Sequence, residues 1–291
     1  QDYLVKPVTT ERMRAALSAG GRPGDPSETV AGRVIAVVGT RGGVGATTVA
    51  TNLAWALANE QQMRVALVDF DLLFGSCALA LDLETGRGLR EAIENPGRID
   101  SLFIERSMVR DGERLHVLST EEPLDNPIGF DPVAFDLLLQ HLRRDFQFVV
   151  IDFPRFALCR QTRVLTEPAS VVLVSNASLA GMRDTQRLSA LLKESVPELS
   201  VTVCLNRMGA GRAGDVGRAE FEKGAGVGID VRIPDDIKAF AASAAAGKPV
   251  LKIASRSRSA TALRSLASRF GGPRVRNVPF PMLRRLLPRG R

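Results

Sequence analysis

Short apolar runs alternate with longer amphipathic stretches along most of the chain. The apolar runs are rich in β-branched residues and predict strands over Val34–Val38, Arg64–Asp69, Leu115–Leu118, Phe148–Asp152, Ser170–Val174, Val201–Leu205 and Asp230–Ile233. The amphipathic stretches predict helices over Ala46–Asn59, Arg87–Glu94, Pro132–Arg144, Arg183–Glu194, Asp235–Ala246 and Ala260–Phe270. Strands such as VIAVV and FVVI are apolar throughout, which is expected when helices cover both faces of a sheet. The pattern therefore predicts a doubly wound, mostly parallel α/β sheet.

The two ends of the chain differ from this alternating part. Residues 1–20 predict an extended segment, a Lys-Pro pair and a helix, which together look like the end of another domain. Residues 21–32 are rich in Gly and Pro and predict a linker. We assign residues 33–255 to the main domain and residues 256–291 to a basic C-terminal helix and tail.

Charge is concentrated at the C-terminal end, although the whole chain of 291 residues carries only +7. Residues 252–291 contain 11 basic and no acidic residues. Such a block attracts anionic lipid, nucleic acid or an acidic protein. Within it, Pro281–Leu287 alternates leucines with arginines, so contact with a membrane surface is one expectation and docking onto protein is the other. No apolar run approaches the ~20 residues of a membrane-spanning helix.

The few cysteines and histidines limit the chemistry of the chain. Cys77, Cys159 and Cys204 are far apart in apolar surroundings, so their spacing predicts neither a disulfide framework nor a zinc site. They indicate buried thiols in a reducing compartment. With only two histidines in the sequence, a histidine-built metal or acid–base centre is not expected.

A glycine-rich segment, GTRGGVGATT, lies between the first predicted strand and helix. Glycines allow successive backbone N–H groups to turn inward around phosphates, and the following helix adds its positive N-terminal end. Gly42, Gly43 and Gly45 meet this requirement, and Thr47 is placed to offer its hydroxyl to Mg²⁺. Ala46 stands where a phosphate-binding loop normally has lysine. The segment predicts a phosphate site with one cation missing.

The longer stretch RGGVGATTVATNLAWAL resembles the deviant Walker A loop of the ParA/MinD ATPases, whose pattern is KGGVGKTT. The resemblance implies a sandwich homodimer with ATP and Mg²⁺ as cofactors. It implies nucleotide contacts from Gly42, Gly43, Val44, Gly45, Ala46, Thr47 and Thr48. Arg41 takes the place of the signature lysine that reaches the partner subunit's nucleotide, and Thr40 replaces the first loop glycine. Because Ala46 removes the cation on the β- and γ-phosphates, we expect hydrolysis to suffer more than binding.

Carboxylates follow two later strands in the family's order. VALVDFD places Asp69 and Asp71 at a strand end, and the resemblance implies that Asp71 positions the attacking water. FVVIDFP supplies Asp152, which is similar to the Walker B carboxylate. By the same resemblance, Thr47, Asp69 and Asp152 surround the metal, whereas Asp71 and Arg41 are the catalytic candidates.

Two further segments resemble the family's adenine-binding region. VCLNR places Asn206 and Arg207 just after a later strand, and IPDD places Pro234 and Asp235 after the last one. The resemblance implies that these four residues lie near the base.

Ala46, together with a receiver-like segment at residues 1–20, narrows the resemblance to the CpaE/TadZ proteins of tad (Flp) pilus assembly. This branch implies a cytoplasmic ATP-binding factor that works at the inner membrane, often at a cell pole, with pilus secretion proteins as partners. A ParA-like DNA-partitioning ATPase, a MinD-like septum-site ATPase and a nucleotide-free scaffold remain alternatives. Ala46, the receiver-like segment and the absence of a helix-turn-helix pattern disfavour nucleic acid as a partner.

Overall fold

The computed structural model describes residues 31–86, 88–125, 131–160, 169–209 and 214–271. Within them the strands are β1 (Arg33–Gly39), β2 (Val65–Asp69), β3 (Val109–Asp111), β4 (Leu115–Leu118), β5 (Phe148–Asp152), β6 (Ala169–Asn176), β7 (Ser200–Met208) and β8 (Val231–Pro234). They form one sheet in the order β3-β4-β2-β5-β1-β6-β7-β8. Only the pairing of β3 with β4 is antiparallel among these described strands. The predicted strands and the mostly parallel sheet are confirmed.

Helices connect the parallel strands. In the described residues they are α1 (Ala46–Trp55), α2 (Gly88–Glu94), α3 (Ser101–Ser107), α4 (Pro132–Asp145), α5 (Arg155–Arg160), α6 (Leu179–Ser195), α7 (Arg218–Ala225), α8 (Ile237–Ala246), α9 (Val250–Ile253) and α10 (Arg258–Ser268). A π-helical turn, Ala56–Glu60, continues α1. None of the helices in the described part of the chain is long and apolar enough to pass through a bilayer.

The helix boundaries follow the side chains that cap them. The hydroxyl of Ser178 accepts the N–H of Gly181, so α6 begins four residues before the predicted Arg183. The carboxylate of Asp236 caps α8, which therefore begins at Ile237 and not at the predicted Asp235. The sequence prediction missed β3 and the helices α3, α5, α7 and α9, all of which are short.

Apolar side chains cover both faces of the sheet, as the uniformly apolar strands predicted. On one face, Ile35 and Val37 pack with α1, α9 and α10; on the other, Val34, Ala36 and Val38 pack with α2, α4 and α6. The C-terminal helix α10 contributes Leu263 and Leu266 to the first of these layers. Residues 1–30 and 272–291 lie outside the described residues, and with them the receiver-like segment, most of the linker and the basic tail.

The strand order places the predicted motifs together. β5 lies between β2 and β1, and its register with β2 sets Asp69 directly beside Asp152. The loop after β1 therefore opens at the same edge of the sheet as both carboxylates. Ligands of doubly wound sheets bind at this carboxyl edge, where neighbouring strands lead to helices on opposite faces.

Candidate functional site

The glycine-rich loop between β1 and α1 adopts a conformation that depends on glycine. Gly43 has φ of 74° and Gly45 has φ of 91°, both in the left-handed region. A Cβ on Gly45 would lie 2.6 Å from Nδ2 of Asn206, whereas one on Gly42 or Gly43 would meet nothing within 4 Å. The loop is thus closely packed where α1 begins and open over the two preceding glycines.

Groups from two other segments, β6 and α5, anchor the start of the loop. The N–H of Thr40 donates to the carbonyl of Val174 at 2.8 Å, and its hydroxyl donates to Ser175 Oγ at 2.9 Å. Arg155 Nη1 donates to the Thr40 carbonyl at 2.9 Å. Thr40 is buried and has no positive φ, which explains why this position does not need the family's glycine. The substitution turns the loop entrance into an attachment to β6.

Asp69 and Asp152 form a buried pair beside the loop. Asp69 accepts the N–H of Cys77 at 2.9 Å and that of Asp71 at 3.2 Å. Burial raises the pKa of Asp69 above its ordinary value of 3.8, although these two N–H groups oppose the shift. Burial, together with the neighbouring Asp69 charge, raises the pKa of Asp152 to about 7, against a hydrogen bond from Thr47. The site thus concentrates carboxylates where solvent does not stabilise their charge.

A thiol completes this group of side chains. Cys77 Sγ donates to Asp152 Oδ2 at 3.8 Å. Burial, reinforced by the charges of both carboxylates, raises the pKa of Cys77 well above its ordinary value. Sequence spacing gave no sign of this contact, because Cys77 lies on the turn after β2 and Asp152 at the end of β5.

The remaining catalytic candidates lie at the rim of the site. Asp71 is half-buried, and its Oδ1 accepts the N–H of Phe74 at 3.1 Å. Arg41 forms an ion pair with Asp184 of α6 at 2.8 Å. Because the Arg41 side chain is 45% exposed, such a pair contributes only ~0.2–1 kcal/mol. The methyl group of Ala46 offers no charge in its place.

Two adjoining cavities extend from the loop. The larger, about 420 Å³, is lined by Gly39, residues 41–47, Asp71, residues 152–156 and Arg207. The smaller, about 300 Å³, is lined by Gly45, Thr48, Asn206, Arg207, Asp235, Ile237, Phe240 and Ala241. Gly45 and Arg207 line both cavities. The larger cavity thus contains the glycine loop with charged side chains around it, and the smaller one contains the apolar side chains of Ile237 and Phe240.

The predicted base-contacting residues differ in their placement. Asn206 is buried, and its Nδ2 donates to the carbonyl of Val44 at 2.8 Å, so its amide holds the phosphate loop in place. Arg207 has a φ of 57°, an uncommon conformation for arginine that is often found at functional sites. Asp235 lines the smaller cavity, whereas Pro234 does not; its carbonyl accepts the hydroxyl of Ser259 at 3.3 Å.

The site fits a nucleotide with Mg²⁺ in most respects. Gly42 and Gly43 leave an open cradle, and the Thr47 hydroxyl lies against a buried carboxylate. Oxygen donors of this kind are those that Mg²⁺ prefers. The sequence prediction missed Arg155 as a residue of the phosphate cavity, although its position three residues after Asp152 at a strand end was a usable signal.

Comparisons with known proteins agree with this arrangement. A family model described as an AAA domain matches residues 32–200. The chain is 25% identical over 197 residues to the chloroplastic MinD homologue of Arabidopsis thaliana, with 66% of the chain and 59% of the relative covered. It is 28% identical over 174 residues to the septum site-determining protein MinD of Synechocystis, covering 59% of the chain and 64% of the relative. The chain therefore spans about three fifths of the length of these relatives.

Solved structures share the fold. A ParA family ATPase from Chlorobium tepidum superposes with a TM-score of 0.74 at 26% identity, covering 81% of this chain and 98% of the other. The cell division ATPase MinD of Pyrococcus furiosus superposes with a TM-score of 0.69 at 26% identity, and the match covers 81% of this chain and 97% of the other. MinD of Pyrococcus horikoshii, solved as a complex with Mg-ADP, superposes with a TM-score of 0.67 at 25% identity. That match covers 81% of this chain and 94% of the other.

Proposed function

Because this chain belongs to the AAA-domain family of ParA/MinD-like ATPases, we propose that it is an ATP-binding switch with weak hydrolysis that serves the assembly of a tad (Flp) pilus secretion system. One observation carries the proposal. The loop keeps its open glycine cradle and the Thr47–Asp152 hydrogen bond, while Ala46 supplies no cation to the phosphates. Such a site binds nucleotide better than it consumes it.

The residues of the site divide the work between binding and chemistry. Bound ATP and Mg²⁺ would supply the phosphoanhydride bond and the metal charge. The backbone N–H groups from Gly42 to Thr48 hold the phosphates, and the Thr47 hydroxyl with Asp152 and Asp69 holds the cation. Asp71, at the rim of the same cavity, orients water. For the base, we propose the smaller cavity with Arg207 and Asp235 in its lining.

The absence of a lysine charge at Ala46 has a predictable free-energy cost. A charge-assisted contact to a phosphate contributes ~1.5–3 kcal/mol. Its loss weakens nucleotide binding, and it slows hydrolysis more, because negative charge develops on the phosphate oxygens in that step. Arg155 and Arg207 line the phosphate cavity and retain positive charge there. We therefore propose that nucleotide acts chiefly as a ligand that shifts a monomer–dimer equilibrium.

The pilus role is supported by the resemblance of Ala46 and residues 1–20 to the CpaE/TadZ branch. On this proposal the chain works as a cytoplasmic homodimer at the inner membrane, often at a cell pole, with pilus secretion proteins as partners and its basic tail touching the membrane surface. A MinD-like role in septum placement is the second candidate, because the relatives reported above include septum site-determining proteins.

The biochemical test compares the native chain with Ala46→Lys, using Ala46→Gln as a neutral control of similar length. ATP binding, phosphate release and the oligomeric state are measured together. We expect the native chain to bind Mg-ATP and turn it over slowly. Lysine should raise turnover about tenfold or more, equivalent to ~1.4 kcal/mol, and glutamine should not. If none of the three chains binds nucleotide, the proposal of an ATP-binding switch is wrong, and the result supports a nucleotide-free scaffold.

The cellular test separates the two roles in a host that carries both a tad system and a septum-site system. Deletion should abolish pilus assembly and leave the division plane in place. Misplaced septa with normal pili would instead support the MinD-like role. Tight, salt-sensitive binding to random-sequence DNA would contradict both and favour a partitioning ATPase.

A further inference from the structure

A thiol lies against the two buried carboxylates of the phosphate site. Cys77 Sγ is 3.8 Å from Asp152 Oδ2, and the backbone N–H of Cys77 donates to Asp69 at 2.9 Å. One ligand atom from each side chain can be chosen so that all three lie within 4.8 Å of one another, and all three residues are buried. We propose that Asp69, Cys77 and Asp152 form a mixed carboxylate–thiolate site for a borderline-soft divalent cation of the Zn²⁺ or Co²⁺ class.

The spacing of the ligand atoms suits one ion. In the tetrahedral geometry of zinc, bonds of ~2.3 Å to sulfur and ~2.0–2.2 Å to carboxylate oxygen place neighbouring ligand atoms ~3.4–3.6 Å apart. The separation of 3.8 Å between Cys77 Sγ and Asp152 Oδ2 is already close to this spacing. The two carboxylates lie side by side in the parallel register of β2 and β5, and all three ligand atoms lie within 4.8 Å of one another, so binding requires them to approach by about 1 Å.

The backbone holds the thiol against the carboxylates. A Cβ on Gly75, two residues before Cys77, would lie 2.5 Å from the carbonyl of Asp71 and 2.6 Å from Oδ2 of Asp69. The turn that carries Cys77 is therefore packed directly on the carboxylate. This close approach places the thiol in the site before any cation arrives, and pre-organised ligands lower the cost of binding.

The chemistry of the donors points to a cation softer than Mg²⁺. Within the described part of the chain, neither Asp69 nor Asp152 forms an ion pair; both accept hydrogen bonds, so a bound cation would supply the positive charge that no side chain there provides. Oxygen donors alone suit Mg²⁺, but a thiolate shifts preference to Zn²⁺ and Co²⁺. On binding, the S–H bond of Cys77 breaks, its electron pair forms the bond from sulfur to the cation, and the proton leaves to solvent.

This inference shares its carboxylates with the proposed function but does not depend on nucleotide. Sequence spacing predicted no zinc site, since Asp69, Cys77 and Asp152 form no recognisable ligand motif along the chain. Only the sheet order brings the third ligand to the other two.

The test is a titration of the metal-free full chain with Co²⁺ in the absence of nucleotide. Thiolate ligation gives a near-ultraviolet sulfur-to-cobalt charge-transfer band that carboxylates alone do not give. We expect this band to saturate at about one equivalent, to vanish when Zn²⁺ displaces Co²⁺, and to persist in excess Mg²⁺. Cys77→Ser should abolish the band and weaken Zn²⁺ binding about tenfold or more. Asp69→Asn, a second variant that keeps the thiol, should weaken Co²⁺ binding.

The matched control is Cys204→Ser, which removes another fully buried free thiol, in β7. It should leave the band unchanged. Absence of the band in the native chain overturns the inference, as does a band that survives Cys77→Ser. Mg-ATP binding is measured on the same preparations. Lost ATP binding with an intact band contradicts the proposed function alone, and ATP binding without the band contradicts only this cation site.

Discussion

Replacing Asp152 with asparagine should make the ligand-free protein more stable at alkaline pH. The folded protein raises the pKa of this carboxyl from its ordinary 3.8 to about 7. The folded state therefore holds a proton that the unfolded state has lost over this interval. By linkage, stability falls as pH rises from about 4 to about 7 and is level above that. Asparagine cannot ionise, so the variant does not show the part of the fall in unfolding free energy that is due to ionisation of Asp152.

The size of the effect follows from the shift. At ~1.4 kcal/mol per pKa unit, a shift from 3.8 to about 7 corresponds to ~4 kcal/mol when Asp152 is fully ionised. On the order of 1–2 kcal/mol of this has already been lost at pH 5, which leaves ~3 kcal/mol between pH 5 and pH 8. No discount for solvent screening applies, because Asp152 is 7% exposed.

The assay is urea denaturation of the ligand-free, metal-free protein across this pH range. In the native chain the free energy of unfolding should fall between pH 5 and pH 8. Asp152→Asn should reduce this fall by ~3 kcal/mol, whereas Asp125→Asn, at an exposed turn, should leave it unchanged. Mg²⁺ should restore stability to the native chain at about pH 8 and do so less in Asp152→Asn, because the cation binds the ionised carboxylate. Parallel profiles for the native chain and Asp152→Asn would refute the reasoning.

Two further predictions concern the loop and its neighbour. Gly45→Ala places a methyl 2.6 Å from Asn206 Nδ2 at a φ of 91°, so it should cost ~1–3 kcal/mol in urea denaturation and abolish ATP binding. Gly42→Ala, where the added methyl meets nothing, is the matched stability control; equal losses would contradict the steric argument. Asp184→Ala should change stability by less than ~1 kcal/mol, yet lower the protein concentration at which ATP produces dimers, because it releases Arg41. Unchanged dimerisation in sedimentation would show that this ion pair does not restrain Arg41.

The fold was predictable because its signals are local. An apolar strand such as Phe148–Asp152 is buried on both sides, so its composition alone indicates a central position in a parallel sheet. The motif residues Thr47, Asp69 and Asp152 could be grouped in advance by their resemblance to the family's motifs, and the sheet order places them at the same edge. Short helices such as α5 and α7 carry too few turns to show a period, and were missed.

The contacts that tune the site were not predictable, because they depend on how distant elements pack. Thr40 stood out in the sequence only as a departure from the family, but it anchors the loop to β6. The pairing of Arg41 with Asp184 requires the exact placement of α6. Cys77 looked like an ordinary buried thiol until the register of β2 and β5 set it beside two carboxylates.

The position of β5 between β1 and β2 also has a consequence for biosynthesis. The chain completes β1, its loop and β2 long before β5 leaves the ribosome, yet β1 and β2 are not neighbours in the sheet. The phosphate loop and the first carboxylate are therefore held apart on the nascent chain until Phe148–Asp152 inserts between them. Insertion of a central strand between non-adjacent segments is a high-contact-order event, and such events are slow. The phosphate cavity, whose lining includes Asp152 and the residues that follow it, is therefore complete only in a chain whose central strand is in place.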